Sequence, residues 1–577
     1  MKNQEIAQIF YNIADILEMN NVAWKPIAYR KAARALESLS EPIEDVYKKG
    51  GIKSLEEIPG IGEGLAKKIE QYLNTGKIDE YERLKKSVPP GILKIMQIQG
   101  IGPKKAKKLY KDLGIKNVND LENAAKRHKI QTLETFKEKT EENILKGIEL
   151  LRQKTDRMLL GSALPQAEEI VSILQKISGV EKVQAAGSLR RMRETVGDLD
   201  ILVASKNSKP VMEAFTKMTS VKRVLAEGET KSAVILKTGL QVDVRVVEPS
   251  SFGSALQYFT GNKDHNINLR AIAIKKGFKL SEYGLFTKKD DKLVAGRTEE
   301  EVYKRLGLSY IEPELRENTG EIEAAMNGKL PKLVTAGDIK GDLHVHSDYT
   351  TDAHNTLKEM AEAAKKIGHE YIAMTNHSGS EKFIHGLDER RLMKSLKEIE
   401  KVSKETGIKI LTGTEVDIKT DGSMDYSDEI LSQLDIVIAS VHKKFKMGKQ
   451  DMTERMLKAV SNDNVDIIGH LTGRLIGQRE AYELDFDKIF QACNDSKTVL
   501  EINANPERLD LNGALVKEAK GYGIKFAIST DAHSTAHLNA MKLGVAMARR
   551  GWCEKESIIN TYSLKGLVKN IKGGGKY

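Results

Sequence analysis

Residue types that bind metal ions recur at regular places in the second half of the 577-residue chain. His344 and His346 stand two residues apart in the strand-like run DLHVH, and Asp531 and His533 have the same spacing in STDAHS. Residues at i and i+2 of a strand face the same side of a sheet, so each pair can converge on one ion. Further candidates end other short apolar runs or follow the first one: Asp352, His377, Glu415, His442 and His470.

A set of six histidines and three carboxylates is suited to binding several metal ions. Imidazole and carboxylate ligands without thiolates suit zinc, manganese or iron, and they do not indicate a structural zinc site. Two or three such ions can activate water and clamp the oxygens of an in-line phosphoryl displacement. The alternative is that these residues are unrelated and have structural roles. This is the better interpretation of any single histidine, but not of nine ligand-type residues that all lie at strand ends. The histidines without such a placement are interpreted as structural: His354, His369, His385 and His537.

A second constellation consists of aspartates in the middle of the chain. Asp198 and Asp200 share one face of the run DLDILV, and Asp243 lies in the nearby strand-like run QVDVRV. An exposed acidic strand end would explain D-x-D alone, but three convergent carboxylates repel one another unless cations are bound. Two Mg²⁺ ions, with triphosphate oxygens as further ligands, fit that requirement. We expect the preceding loop to hold the nucleotide through Gly187, Ser188, Arg191 and Gly197.

Two similar segments near the N-terminus, LEEIPGIGEGLAKKI and IMQIQGIGPKKAKKL, each join an apolar run to a lysine-bearing helix through G-I-G. Glycines let a phosphate approach the backbone, and the free N–H groups of the following helix can bind it. A simple helical turn with a solvated charged face is the alternative, and the repetition argues against it. The predicted DNA-backbone contacts are Gly60, Gly62, Gly100, Gly102, Lys104 and Lys105.

The elements that must position these residues differ along the chain. Residues 1–150 have the spacing of amphipathic helices, and residues 157–250 read as a helix followed by β-branched strands, which predicts an α+β domain. From residue 338, short apolar strands alternate with amphipathic helices. This βα repeat predicts a parallel sheet or barrel, whose sites lie at the carboxyl ends of the strands.

Charge and composition narrow the class of protein. Residues 1–300 carry 52 Lys and Arg against 40 Asp and Glu, whereas residues 301–577 carry 40 against 42. A polyanion is therefore a candidate partner of the first part, although many soluble basic proteins bind no nucleic acid. The chain lacks an apolar run of transmembrane length, and we expect no membrane contact. Cys493 and Cys553 give no disulfide framework, which fits a reducing cytoplasm. We expect a cytoplasmic protein that associates with the nucleoid.

Residues 338–577 resemble a PHP (polymerase and histidinol phosphatase) domain through DLHVHSDYTTD, TNHS, GTEVDI, ASVH, GHLTGR, LEINA and STDAHS. The resemblance implies a distorted (β/α)7 barrel with up to three Mn²⁺ or Zn²⁺ ions on the nine ligands given above. It places Asp352 and His377 with His470 on one ion. It also implies a 3′–5′ exonuclease, with 3′-phosphatase or abasic-site endonuclease activity as further candidates. The sequence departs from the family pattern at Asn376, Ala353 and Leu471.

The middle segment resembles the nucleotidyltransferase superfamily of DNA polymerase beta, because GS, D-x-D and a third strand aspartate are followed by a Y-F-T-G element. The resemblance implies that Asp198, Asp200 and Asp243 are catalytic. It places Arg245 beside the third aspartate, and Lys263 departs from the family pattern. It implies nucleotide contacts at Tyr258, Phe259, Thr260, Gly261, Asn266 and Arg270.

The first 85 residues resemble the small N-terminal domain of the same polymerase. Lys25, Tyr29 and Lys31, in KPIAYRKAA, match its pocket for a downstream 5′-phosphate. Lys68 aligns with a lysine that forms a Schiff base during deoxyribose-phosphate removal. A Schiff-base lysine needs a lowered pKa, which a sequence does not reveal, so we interpret Lys68 as a phosphate ligand.

Together these resemblances cover nearly the whole chain and identify it as a bacterial or archaeal family X DNA polymerase with a C-terminal PHP domain. We expect a monomer that binds gapped or primed DNA with a 5′-phosphate, takes dNTPs and fills short gaps in base excision repair. The alternatives are a DNA-end-binding scaffold with vestigial sites, or a template-independent nucleotidyltransferase fused to a phosphoesterase. The expected divisions are a helical domain at 1–85, a helix-hairpin-helix domain at 86–155, a palm at 156–250, a thumb at 251–317, a linker at 318–337 and the PHP barrel at 338–577.

Overall fold

A computed structural model describes residues 2–38, 43–58, 60–89, 91–96, 98, 101–133, 136, 140, 141, 144, 145, 147, 148 and 157–572. Its contacts divide the chain into two units. The first comprises Met1–Arg157 with Asn266–Ile272, and the second comprises Met158–His265 with Ala273–Tyr577. Each unit is described by itself.

The first unit is helical in its described part. Its helices are α1 Lys2–Met19, α2 Lys25–Ser38, α3 Ile43–Glu56, α4 Glu63–Thr75, α5 Asp79–Lys86, α6 Ile92–Met96, α7 Pro103–Leu113 and α8 Val118–Lys126. Their apolar faces form two clusters, one around Phe10 and Ile69 and one around Ile92 and Leu109. The hydrophobic periodicity of the sequence therefore gives the predicted helices.

A five-stranded sheet follows in the second unit. Its segment contains β1 Met158–Leu159, α9 Leu160–Gln175, β2 Val180–Ala185, α10 Gly187–Arg190, β3 Thr195–Val196, β4 Asp198–Ser205, α11 Lys209–Thr216, β5 Val221–Glu227, β6 Lys231–Leu236 and β7 Gln241–Val247. The strand order is β2-β4-β7-β6-β5, and only the β4–β7 pair is parallel within this sheet. Val242, Val244 and Val246 of β7 are buried while the residues between them are half-buried, so β7 has one apolar face.

A small mixed segment continues the chain. It contains α12 Phe252–Thr260, α13 Lys263–Lys275, β8 Phe278–Ser281, β9 Gly284–Thr287, β10 Leu293–Ala295, α14 Glu299–Arg305 and α15 Glu321–Met326. Helix α15 lies inside the expected linker, and its Glu321 is fully buried against His265, with 2.7 Å between Glu321 Oε1 and His265 Nδ1. Residues 318–326 are therefore packed onto the preceding segment.

The C-terminal region is a parallel barrel. It contains β11 Gly341–Val345, α16 Leu357–Lys366, β12 Tyr371–Met374, α17 Glu389–Thr406, β13 Lys409–Asp417, α18 Asp428–Leu431, β14 Ile436–Ser440, α19 Lys449–Ser461, β15 Ile467–Ile468, α20 Phe486–Ser496, β16 Val499–Asn503, α21 Gly513–Gly521, β17 Phe526–Ser529, α22 Met541–Arg550 and α23 Leu564–Asn570. The seven strands are ordered β11 to β17, and a parallel bridge between Val345 and Ala532 nearly closes the circle. The expected fold class, helical front, α+β middle and seven-stranded barrel, is confirmed.

Among the described residues, none of the helices combines the length and the apolar character needed to span a lipid bilayer.

Candidate functional site

The three aspartates of the middle segment come together on adjacent parallel strands. In the β4–β7 register, Asp200 lies opposite Asp243, and Asp198 lies opposite Gln241. Neighbouring strand residues such as Leu199 and Val242 are fully buried, so the pleat directs the aspartates to the opposite face. The i, i+2 spacing thus places the predicted carboxylates on one surface.

These carboxylates are poorly compensated by nearby cations. Burial, together with the charges of Asp198 and Asp243, raises the pKa of Asp200 to about 7. Lys231 offers one partial counter-charge, with its Nζ 3.5 Å from Asp243 Oδ2, but its side chain is half exposed. A site with this excess of negative charge is suited to divalent cations.

The glycine-serine loop approaches the aspartates closely. Gly187 has φ of +60°, and a Cβ at this position would lie 2.3 Å from Asp200 Oδ2. Only glycine fits both that backbone conformation and that distance. Ser188 follows on α10, while Gly197 directly precedes the first aspartate.

Two arginines tie this loop to the Y-F-T-G element. Arg190 Nη1 donates to Thr260 Oγ1 at 2.7 Å and also to Glu299, and Arg191 Nη1 donates to the backbone oxygen of Thr260. Burial disfavours the Glu299 carboxylate, but Arg316 and Arg190 outweigh it and lower the pKa of Glu299 to about 2. Arg191 Nε also donates to Glu317 Oε1 at 3.0 Å. Arg191, the predicted phosphate contact, therefore donates hydrogen bonds both to the Y-F-T-G element and to Glu317.

The remaining predicted contacts of this segment lie on α12 and α13, apart from Arg245 on β7. Tyr258 and Phe259 pack edge to face, and the Arg245 guanidinium lies 4.7 Å from the Phe259 ring centroid. Gly261 ends α12 with φ of +64°. Asn266 and Arg270 fall in the part of α13 that groups with the first unit, so their predicted nucleotide contacts stay a prediction.

The barrel gathers all nine predicted ligands at the carboxyl ends of its strands, and Glu415 is their centre. Its Oε1 lies 2.9 Å from His470 Nε2 and 3.1 Å from His442 Nε2. Its Oε2 lies 2.8 Å from His377 Nδ1 and 3.4 Å from His344 Nε2. One carboxylate thus contacts imidazoles from four different strand ends.

Two further carboxylates complete the cluster. Asp531 Oδ1 is 3.3 Å from His346 Nε2, and Asp352 Oδ2 is 3.2 Å from His377 Nε2 and 3.1 Å from His533 Nε2. The grouping of Asp352 with His533 differs from the sharing that the resemblance implied, in which Asp352 goes with His470. How the ligands divide among bound ions stays a prediction.

The electrostatics of the cluster match a metal centre. Burial disfavours its charges, but the mutual attraction of histidines and carboxylates holds the pKa of Glu415 and Asp531 well below the usual range. The same attraction outweighs burial and raises the pKa of His377 to about 10 and that of His442 to about 9. Burial, with the charges of His533 and His377, lowers the pKa of His346 to about 3.

Several atoms of the cluster are buried without a hydrogen-bond partner among the described residues, as expected of metal-ligand atoms. They are His344 Nε2, His346 Nδ1 and Nε2, His470 Nδ1 and Asp352 Oδ1. Four residue groups bring ligand atoms within 4.8 Å of one another: His344 with His346 and Asp531, His346 with His377 and His533, His377 with Glu415 and His442, and Glu381 with Asp417 and His442. The donor set therefore fits a cluster of two or three ions with nitrogen and oxygen ligands.

Sequence reasoning missed the residues that orient these ligands. Glu501 is fully buried on β16; its Oε1 is 2.7 Å from His344 Nδ1, and its Oε2 accepts from the backbone N–H of His470 at 2.7 Å. Asp417 Oδ1 contacts His442 Nδ1 at 2.9 Å. Arg508 Nε lies 3.4 Å from Asp531 Oδ2, and its Nη1 is buried without a hydrogen-bond partner among the described residues. The available signal was Glu501 itself, the single charged residue of the apolar strand-like run LEINA.

The first unit brings together two members of the predicted 5′-phosphate pocket. Glu80 Oε2 accepts from Tyr29 Oη at 2.8 Å and lies 3.2 Å from Lys68 Nζ. Burial and Glu80 together raise the pKa of Tyr29. Lys25 is exposed on α2, and the Lys31 side chain passes beside Gly60. A carboxylate thus occupies part of the surface that was predicted to bind an anion.

The two G-I-G segments precede helices as expected. Gly62 is the N-cap of α4 and Gly102 is the N-cap of α7, and Gly60 has φ of +100°. Lys104 and Lys105 lie on the first turn of α7, where they flank the helix N-terminus. Gly100 lies outside the described residues.

Sequence comparisons match four parts of the chain to known families. The profile of a helix-hairpin-helix domain matches residues 1–78, a SAM-like helix-hairpin-helix tandem matches 92–149, the DNA polymerase beta thumb matches 255–317 and the PHP domain matches 342–505. The chain is 38% identical over 576 residues to the DNA polymerase/3′-5′ exonuclease PolX of Bacillus subtilis, covering 99% of this chain and 100% of that protein. DNA polymerase lambda of Rattus norvegicus is 26% identical over 344 residues, 55% of this chain and 56% of that polymerase. A probable phosphatase of Thermoanaerobacter is 30% identical over 231 residues, 38% of this chain and 89% of that protein.

Proposed function

Because the chain belongs to the PolX family of DNA polymerases with a C-terminal PHP domain, we propose that it adds nucleotides at its palm aspartates and removes 3′ nucleotides at its barrel cluster. The similarity over the full length to a DNA polymerase/3′-5′ exonuclease confirms the family resemblance seen in the motifs. The assignment of the two activities to two sites rests on the presence of two separate carboxylate centres. The pKa of Asp200 is raised in the palm, whereas the pKa of Glu415 is lowered in the barrel.

At the palm, Asp198, Asp200 and Asp243 would hold two Mg²⁺ ions together with the triphosphate of the incoming nucleotide. When bound, such ions neutralise the phosphates and make the primer hydroxyl a better nucleophile. Asp243 is the proposed proton acceptor or ligand nearest the primer. Ser188, the backbone of Gly187 and the Arg191 guanidinium would orient the triphosphate, since hydroxyl, N–H and guanidinium groups all donate to phosphate oxygens.

At the barrel, the nine ligands would hold up to three ions, and the absence of thiolates among them favours Mn²⁺ or Zn²⁺. Bound ions would supply Lewis acidity for attack by water on the terminal phosphodiester. Glu501 and Asp417 fix the rings of His344 and His442 through their Nδ1 atoms, which leaves Nε2 directed into the cluster. Arg508 is placed to donate to a phosphate oxygen beside Asp531.

We propose that the DNA substrate is a short gap with a downstream 5′-phosphate, bound by a monomer. The similarity to DNA polymerase lambda and the two helix-hairpin-helix matches support this substrate. Lys25, Tyr29, Lys31 and Lys68 are the proposed phosphate contacts of the first unit. A 5′-phosphate must displace Glu80 from Tyr29 and Lys68, or bind beside it.

A pair of variants tests the division of labour on one gapped duplex supplied with dNTPs and Mg²⁺ or Mn²⁺. Asp198→Ala with Asp200→Ala is expected to abolish nucleotide addition and to leave 3′ degradation intact, while His344→Ala is expected to do the reverse. Loss of both activities in either variant, with unchanged melting temperature, would contradict two independent sites. Binding without any turnover by the wild-type protein would favour the scaffold alternative.

The 5′-phosphate proposal has its own measurement. Gap filling by the wild-type protein should be faster when the downstream strand carries a 5′-phosphate, and Glu80→Gln should increase that preference because it removes a negative charge from the pocket. Glu82→Gln, on the same helix α5, is the matched control. Equal rates with and without the phosphate would refute the pocket.

A second activity, 3′-phosphatase, is favoured by the similarity of 38% of the chain to a probable phosphatase. A primer that ends in a 3′-phosphate tests it, because extension then requires prior dephosphorylation. We expect His344→Ala to block extension of this primer but not of a primer with a free 3′-hydroxyl.

A further inference from the structure

The last helix turn of α22 in the PHP barrel contacts the palm loop that precedes the aspartates. Arg550, at the end of this helix, donates from Nη1 to the backbone oxygen of Arg191 at 2.6 Å. The same nitrogen donates to Glu317 Oε1 at 3.0 Å. The side chain of Arg550 is only 9% exposed, so these charge-assisted bonds are largely shielded from water.

Glu317 is shared between the barrel and the palm. Its Oε1 accepts from Arg191 Nε and from Arg550 Nη1, each at 3.0 Å, while its Oε2 accepts from Asn262 Nδ2 at 3.1 Å. Burial disfavours its charge, but Arg550 and Arg191 outweigh burial and lower the pKa of Glu317. The carboxylate cannot move toward one arginine without weakening its bond to the other.

The charge balance of this group determines what Arg191 can still bind. Arg191 and Arg550 share the Glu317 carboxylate, and Arg193 Nη1 lies 3.7 Å from Glu317 Oε2 at the more exposed edge. Glu194 interacts electrostatically with Arg550 and Arg193. Without Arg550, Arg191 would be the one guanidinium among the described residues at hydrogen-bond distance from Glu317, and a triphosphate would have to compete with Glu317 for it. The loop would also lose the donor that fixes the backbone oxygen of Arg191.

We propose that Arg550 of the PHP barrel is a positioning residue for nucleotide addition, because it shares Glu317 with Arg191 and so keeps the Arg191 guanidinium available to the incoming dNTP. The inference rests on the proposed role of Arg191 as a triphosphate contact. It gives the barrel a part in the polymerase reaction that is separate from its own metal cluster.

Arg549 provides a matched control on the same helix. Its Nε donates to Glu314 Oε1 at 2.7 Å and its Nη1 donates to the backbone oxygen of Val334, so it too bridges the barrel and the preceding segment. Arg549→Ala therefore removes an interdomain ion pair of the same kind from the same helix. Arg550→Ala also removes one interdomain ion pair, but the pair that it removes is the one with Glu317.

The experiment is steady-state extension of a gapped duplex by the full-length variants. We expect Arg550→Ala to raise the KM for dNTP about tenfold, the effect of losing one charge-assisted bond, with kcat unchanged. Arg549→Ala should keep the wild-type KM. Arg550→Lys should restore part of the affinity, and adding Glu317→Gln to Arg550→Ala should restore more, since an amide does not capture Arg191. The 3′ nuclease rate of Arg550→Ala, measured without dNTPs, should equal that of the wild type.

Two results would overturn the inference. One is a wild-type KM in Arg550→Ala, and the other is a joint fall of kcat and nuclease rate, which would indicate only a structural role. Arg191→Ala separates this failure from failure of the proposed function. An unchanged KM in Arg191→Ala refutes the role of Arg191 itself, whereas a raised KM there with a wild-type KM in Arg550→Ala refutes the coupling alone.

Discussion

The palm aspartates and the barrel cluster are both built from side chains at strand ends, yet they balance charge in opposite ways. In the palm, burial and two neighbouring carboxylates raise the pKa of Asp200 to about 7, and Lys231 is the closest partial counter-charge to Asp243. In the barrel, imidazoles surround Glu415 so closely that its pKa falls well below its usual range even though the carboxylate is buried.

This difference indicates how much of the metal-ligand set each centre supplies before its substrate binds. The barrel holds its ligands in place by ion pairs within the protein, and carboxylates such as Glu501 and Asp417 orient the rings from outside. The palm has less internal compensation, so we expect its cations to bind more tightly when triphosphate oxygens complete their ligand set. A preorganised cluster suits repeated hydrolysis, and an open carboxylate site suits a reaction in which a nucleotide brings part of the ligand set.

The largest expected effect is on the palm alone. In Gly187→Ala the new Cβ would lie 2.3 Å from Asp200 Oδ2, so the loop or the aspartate must shift. Because displacements of about 1 Å cost on the order of 100-fold in rate, we expect at least that loss in nucleotide addition, measured by gap filling. The nuclease should keep its wild-type rate.

Gly239→Ala is the control for backbone strain. Gly239 also has positive φ, +92°, but a Cβ there has no heavy atom within 4 Å. Polymerase activity close to that of the wild type in Gly239→Ala, with a loss in Gly187→Ala, would locate the effect at Asp200. Equal losses in both would show that strain alone is responsible.

The next effect is on the barrel alone. Glu501→Gln weakens the contact that orients His344 and the bond to the His470 N–H. Such outer contacts are worth about 10- to 100-fold in metal affinity or activity, so we expect the 3′ nuclease rate to fall by that factor at limiting Mn²⁺. Gap filling should not change.

Glu507→Gln changes an exposed carboxylate on the loop that follows the same strand, so it serves as the control. A nuclease rate equal to that of Glu501→Gln would mean that general charge, rather than the His344 contact, is responsible. Recovery of Glu501→Gln at high Mn²⁺ would assign the defect to metal affinity.

The smallest effect is a pH dependence of the palm. Since the folded pKa of Asp200 is raised to about 7, protonation stabilises the metal-free fold, and this contribution is lost as pH rises through 7. Mg²⁺ binding requires the carboxylate, so protons compete with the ion below that pH. We expect the Mg²⁺-induced rise in Tm to be about 2 °C smaller at about pH 6 than at about pH 8.

Asp200→Asn isolates this contribution from ions bound in the barrel. The difference in Mg²⁺-induced Tm between wild type and Asp200→Asn should grow as the pH rises. A difference that is independent of pH would contradict a raised pKa for Asp200 and would remove the contrast in charge balance between the two centres.

The sequence by itself determined the elements and the ligand types. Strand alternation places Asp198 beside Asp200 and His344 beside His346 on one face, and a βα repeat forces strand ends to one side of a barrel. These are local or periodic rules, so they can be applied without knowing which distant segments touch. The fold class and the family followed from them and from the motifs.

The tertiary structure alone decided the contacts that join distant residues. Glu501 reaches His344 across 157 positions, and Arg550 reaches the backbone of Arg191 across 359. It also placed Glu80 against Tyr29 and Lys68, inside a surface that the sequence predicted to attract anions. No periodicity encodes such pairs, because they depend on how separate elements pack and on which buried charge each partner must neutralise.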